Sequence, residues 1–281
     1  MPQSPVTSFM NAAPHNLEGW IEAFQQREIP VLASTALAIG EFAANEDSAD
    51  AHLLSETLSG DPLMVLKLLR HVAERRSARS VTDVETTTAA IVLLGIPPFF
   101  RAFGNQLTVD ARLAKLPQAQ AGLQAVLDRA ARAARFALGF AVHRMDHDAA
   151  VIHEAALLHD FAEMLLWAHA PVLAEEVARR QRANPALRSA DAQRAVLHVT
   201  LAEVQQALMK AWRLPELLVR ISDSQTSAQS QVRNVQLAIR IARHSALGWD
   251  NPALPDDVTE IAALLNMAQE PTWQLLHQID S

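Results

Sequence analysis

Cysteine and tyrosine are both missing from the 281 residues, and glycine occurs only eight times. Without thiols the chain can form no disulfide, no thiolate metal site and no cysteine nucleophile, a composition that suits a reducing cytoplasm. Aromatic residues amount to 5%, and β-branched residues are sparse beside the abundant Ala and Leu, which disfavours strands. Basic residues are outnumbered: 24 Lys and Arg against 31 Asp and Glu leave a formal charge of −7. No basic face for nucleic acid or an anionic membrane is therefore expected. A long apolar run is also wanting. The most apolar long uncharged stretch, Thr86 to Phe100, is about fifteen residues and contains Gly95, Pro97 and Pro98, too short and too broken to cross a bilayer. The opening Met1-Pro2-Gln3-Ser4-Pro5 has neither the basic nor the apolar region of a signal peptide.

What is present is half hydrophobic, enough to bury a sizeable core, and its spacing is helical throughout. The expected fold is all-α, with a loose arm over residues 1–16 and two packed helical subdomains, 17–115 and 116–281. Trp20, Ile21 and Phe24 share one side of a first helix. Asp61-Pro62 reads as a cap followed by proline at the first helical position, opening a helix whose Leu63, Leu66, Leu69 and Ala73 recur on one face. Two capping boxes, Thr82 to Glu85 and Thr200 to Glu203, predict further helix starts, and Gly95 with Pro97 predicts a stop. The arginines 70, 75, 76 and 79 form a local basic cluster, read as a solvated helix end rather than a phosphate site.

Three segments carry chemistry. His159 and Asp160 stand side by side within the helical run Ala155 to Trp167, where buried ionisable groups need partners. His143, Asp146, His147 and Asp148 resemble a ligand set, but they fall where one helix should end, and a polar loop accounts for them. Phe99, Phe100 and Phe103 form an aromatic cluster, readable as a partner-docking surface or as core.

Several pieces in order resemble the HDOD family, the HD-related output domains of bacterial signalling proteins. They are Ile29-Pro30-Val31-Leu32, Asp61-Pro62-Leu63 with Leu66 to Leu69, Ser80-Val81 through Ala90 to Gly95, Ala155 to Asp160, and Trp212-Arg213-Leu214-Pro215. The resemblance spans most of residues 28–245 and implies that residues 116–281 form a degenerate HD-like bundle.

The departures bear on activity. In enzymes of the wider HD superfamily an early His, the His-Asp doublet and a late Asp jointly hold a divalent ion that activates water against a phosphoester. Here the early His position falls near Asp128-Arg129-Ala130 and the late Asp position near Leu237-Ala238-Ile239. A further His of related domains falls on Leu201, a His-His pair falls near Ser224-Gln225, and the Gly-Lys that follows the doublet in many relatives reads Ala162-Glu163. The doublet alone would hold a metal weakly, so no catalytic residue, no metal and no cofactor is expected, and His159 and Asp160 are read as structural. The resemblance implies a cytoplasmic, non-enzymatic output or scaffold module that contacts other signalling proteins: a kinase, a response regulator or a cyclic-dinucleotide enzyme. Two alternatives stay open. One is a metal-dependent phosphohydrolase completed by His143, His147, His153 or His169; the other is a small-molecule sensor binding between the subdomains.

Overall fold

Helices account for the regular structure of the described residues of the computed structural model, which are 8–45, 49–75, 84–184, 186–222 and 229–281. The order begins α1 (Leu17–Gln25), α2 (Ala33–Ala44), α3 (Ala51–Leu58), α4 (Pro62–Arg75), α5 (Thr87–Leu94), α6 (Ile96–Phe103) and α7 (Val109–Leu113). The long α8 (Pro117–His143) leads to α9 (Ala149–Leu157), α10 (Phe161–His169), α11 (Pro171–Ala183), α12 (Ser189–Leu197) and α13 (Leu201–Ala211). Last come α14 (Glu216–Ile221), α15 (Ser230–His244), α16 (Leu254–Leu265) and α17 (Gln269–Asp280). The fold is all-α, as the composition implies, and none of these helices is long and apolar enough to cross a membrane.

The chain divides into two compact units, each discontinuous in sequence. One joins Met1–Val126 to Asp160–Leu214, the other Leu127–His159 to Pro215–Ser281. The cut expected near residue 115 falls inside the first unit, in the connection between α7 and α8.

Within the first unit, local chemistry sets the helix starts. Asp61 accepts the Leu63 and Met64 amides at 2.9 and 3.1 Å, with Pro62 at the first position of α4. The same carboxylate accepts the Leu32 amide at 2.8 Å, which pins the segment entering α2. Leu63, Leu66, Leu69 and Ala73 are buried along α4, as their spacing predicts. Thr200 and Glu203 complete a reciprocal capping box on α13, with the Glu203 amide 3.2 Å from the Thr200 hydroxyl and the Thr200 amide 2.7 Å from the Glu203 carboxylate. The other box does not open its helix: α5 begins at Thr87, where Thr86 accepts the Ala89 amide at 3.2 Å. Thr82 itself lies outside the described residues. Gly95, at φ 80°, ends α5 and lets α6 follow at once with prolines in its first turn.

The aromatic cluster is internal. Phe99, Phe100 and Phe103 are 0, 9 and 2% exposed, Phe99 meets Phe100 edge-on and Phe103 at a tilt, and Phe103 also meets His71, so the docking surface they suggested is instead core. Of the basic cluster, Arg70 pairs with Glu74 at 2.7 Å and lies 4.9 Å over the Trp212 ring, whereas residues 76 and 79 lie outside the described residues. Residues 8–16, expected as a loose arm, are irregular, yet Met10 is buried and its amide donates to the His169 carbonyl at 2.8 Å. Trp20 donates its indole N–H to the Leu197 carbonyl at 2.9 Å, joining α1 to the end of α12.

In the second unit α9 packs against α14 and α15, α15 against α16, and α16 against α17. Arg132 on α8 clasps Asp280 of α17 through two bonds of 2.6 and 2.5 Å and reaches the Ala242 carbonyl at 3.2 Å. Asp257, buried on α16, binds Arg240 at 2.8 Å and His244 at 2.6 Å, closing α15 onto α16.

Candidate functional site

The His-Asp doublet occupies a turn, not a helix. The Leu158 amide still reaches the Glu154 carbonyl at 2.9 Å, but the His159 amide turns back to Ala156 at 3.3 Å, and the Asp160 carbonyl then accepts Glu163 and Met164 to open α10. Neither glycine nor proline marks this break, so apolar spacing ran unbroken across it. Both side chains are half-buried, both have interaction partners, and the division between the units passes between them.

The positions where the resemblance leads to an expectation of further ligands offer few donors. Asp128, Arg129 and Ala130 lie on α8 in the second unit; Leu237, Ala238 and Ile239 lie on α15 and are buried apolar side chains. Leu201 begins α13, Glu163 stands in the first turn of α10, and Ser224 and Gln225 lie outside the described residues. Among the described residues no three His, Asp or Glu side chains are grouped so as to hold a metal ion. A zinc-type site needs three or four protein ligands with a supporting shell, and these positions do not supply that set.

The remaining histidines are scattered. His143 and His147 are exposed, at the end of α8 and in the following turn. The carboxylates beside them are engaged in structure: Asp146 binds Arg144 at 3.1 Å, Arg144 also holds the Leu264 carbonyl at 2.8 Å, and Asp148 accepts from Gln231. His153 on α9 is largely buried, which lowers its pKa.

His169, the last residue of α10, has surroundings that sequence reasoning missed. It is 1% exposed, its ring centroid lies 6.1 Å from that of Phe24, and its Nδ1 has no hydrogen-bond partner among the described residues. Burial, then the Arg112 charge, then that of Arg27 hold its pKa well below the ordinary histidine value. Arg112 donates Nε to the Ala168 carbonyl at 2.6 Å and lies 4.9 Å over the Phe9 ring. Arg27 donates to the Ala23 carbonyl at 2.7 Å. Burial first, and then the Arg27 charge, lower the pKa of Arg112. Residue 27 lies in the bend after α1, residue 112 on α7 and residue 169 at the end of α10. No local motif could have joined them, since they are far apart in sequence.

Comparison with known proteins follows from this architecture. A family model described as HDOD domain matches residues 29–228. No curated protein matches the chain. Among solved structures, the MmoQ response regulator of Methylococcus capsulatus str. Bath superposes with a TM-score of 0.65 at 20% identity, covering 89% of this chain and 98% of that one. A virulence factor of Campylobacter jejuni subsp. jejuni superposes with a TM-score of 0.64 at 18% identity, covering 93% of this chain and 97% of that one. At these identities the likeness is one of fold.

Proposed function

Because the chain belongs to the HDOD domain family, we propose that it is a non-catalytic output or scaffold module of bacterial signal transduction, acting in the cytoplasm through contacts with other signalling proteins. The observation that carries the reading is the donor deficit around the doublet. His159 and Asp160 sit in a turn, the early-ligand position reads Asp128-Arg129-Ala130, and the late position holds buried Leu237, Ala238 and Ile239. A hydrolase of this superfamily works by a metal-activated water, and two adjacent ligands hold such an ion weakly. Glu163, where relatives carry a lysine, puts an anion near the place where a phosphoester would have to come. The fold likeness to a response regulator agrees with a signalling role. Kinases, response regulators and cyclic-dinucleotide enzymes are the partner classes the family implies.

Metal analysis of the purified chain, with phosphodiesterase assays on the parent and His159→Ala in added Mn2+ or Mg2+, tests this. The expected result is substoichiometric metal and the same background rate for both proteins. Stoichiometric metal with a rate abolished by His159→Ala would restore the hydrolase reading. Affinity capture from the native host should then recover a kinase, response regulator or cyclic-dinucleotide enzyme.

A further inference from the structure

The stretch from Ser8 to Pro14 carries no charged residue and has no regular structure, yet it is fastened to the first unit at two footholds. We propose that this arm is a removable strap, and that the surface under its first foothold is a docking seat for a short segment of a partner protein carrying an aromatic residue followed by an apolar one.

The arm itself shows what the seat accepts. Phe9 lies against the Arg112 guanidinium, which stands 4.9 Å from the ring centroid, and Met10 is buried. The Met10 amide donates to the His169 carbonyl at 2.8 Å. That carbonyl needs a donor from outside its own helix, because α10 ends at His169 and α11 opens with Pro171, which has no N–H. The carbonyl before it, that of Ala168, accepts from Arg112 Nε at 2.6 Å, so one arginine both closes the helix end and faces the aromatic ring. A backbone amide, a ring under a cation and a flexible apolar side chain are features that another chain with the same two residue types can reproduce. The second foothold is lighter: His198 donates Nδ1 to the Pro14 carbonyl at 3.1 Å, and its ring stacks with that of His15 at 6.2 Å.

Two features make the arm separable from the fold. Asn11, Ala12 and His15 are exposed, so little buried surface resists release once Phe9 and Met10 let go. Helix α1 also stands without the arm: Asn16 caps it by accepting the Gly19 amide at 3.0 Å, and Trp20 anchors it to the Leu197 carbonyl at 2.9 Å. Release would uncover the Arg112 guanidinium face, the His169 carbonyl and the space left by the Met10 side chain. A tethered arm competes at high effective concentration, so it sets a threshold that only a better-fitting segment passes. The inference rests on the contact role proposed above, to which it gives a surface.

The test uses the full chain and a labelled synthetic peptide with the sequence of residues 6–15, followed by fluorescence anisotropy. Phe9→Ser combined with Met10→Ser in the full chain should free the seat, and the peptide should bind this variant at least about tenfold more tightly than it binds the parent, whose own arm competes. A control peptide with serine at the same two positions should bind neither protein. In the parent, the Met10 amide should exchange with deuterium at least about tenfold faster, relative to its intrinsic rate, than the amides in the middle of α10. No binding to the variant, equal binding to variant and parent, or equal binding of the control peptide would each overturn the proposal. A concentration-dependent dimer of the parent that is lost in the variant would overturn it in favour of arms exchanged between two copies. Should the double variant fail to fold, the parent's Met10 amide decides alone: exchange no faster than that of α10 rejects the strap. The two failures are distinguishable, since absent peptide binding leaves the metal analysis untouched, whereas stoichiometric metal with a His159-dependent rate removes the contact role whatever the peptide does.

Discussion

The carboxylate of Asp61 joins two backbone segments: one oxygen accepts the Leu32 amide at 2.8 Å while the other caps α4 through Leu63 and Met64. Asp61 is 1% exposed, so each donor would be left without water if the carboxylate were removed. Asp61→Ala should cost about 2–3 kcal/mol, the sum expected for a lost cap and a stranded amide. Asp61→Asn should cost less, since its carbonyl oxygen can still accept from one segment but its NH2 cannot accept from the other. Urea unfolding of the three proteins measures the order; Asn as damaging as Ala would show that charge, not acceptor geometry, holds the junction.

Two glycines should respond to alanine with opposite signs. A Cβ on Gly122 would stand 2.5 Å from the Trp167 ring, which is only 5% exposed and cannot swing aside, whereas a Cβ on Gly40 would meet nothing within 4 Å. Both sit within helices, where alanine is favoured over glycine by about 1 kcal/mol. Gly40→Ala should therefore stabilise by about 0.5–1 kcal/mol. Gly122→Ala should destabilise by about 1–2 kcal/mol once overpacking outweighs the helical gain. Thermal melts of both variants check the contrast.

Acid should weaken the fold partly through His169. Its folded pKa is well below the usual value and its unfolded pKa is ordinary, so as pH falls below about 6.5 the unfolded chain takes up a proton that the folded chain refuses. The neutral form's contribution is complete above that pH and is lost progressively toward the lower, folded pKa, with a slope no steeper than about 1.4 kcal/mol per unit. His153, lowered by burial, adds a loss of the same sign. His169→Gln should flatten the dependence between pH 7 and 5, as read from denaturant midpoints. An unchanged slope would mean that other groups carry the acid sensitivity.

Asp280→Asn should cost about 2 kcal/mol, because Arg132 would lose a doubly bonded, partly buried carboxylate. Arg132→Lys should not be tolerated as a conservative change, since a lysine cannot supply the paired geometry. Added salt should shift the parent and the Asn variant alike if shielding from water protects the pair; a difference that vanishes in 1 M salt would show a solvated interaction instead.

Much of the fold could be read from the residues because its signals are local. Asp61-Pro62 and the Thr200–Glu203 box state their helix starts within four positions, and the apolar spacing of α4 is plain. Reading failed where the deciding contact was distant or the break carried no punctuation. Leu158 to Asp160 leave the helix without glycine or proline, so the doublet looked helical. Thr86, one position beyond a better-formed motif, turned out to be the cap of α5. The phenylalanines of α6 are equally apolar whether they face a partner or the core, and only packing against His71 and one another decides it. The surroundings of His169 were illegible for a different reason: Arg112 of α7 reaching the end of α10 is a distant contact that leaves no trace in spacing.

The interleaving of the two units has a consequence for how the chain is made. A ribosome delivers residues 1–126 before 160–214, so α1 must wait for α13, and α4 and α7 for α10, before the first unit can close. Residues 127–159 wait longer still, for everything after Pro215. Any gene fragment that stops at residue 115 or at 159 therefore encodes an unfinished half, and such products should be cleared by proteases rather than accumulate as domains.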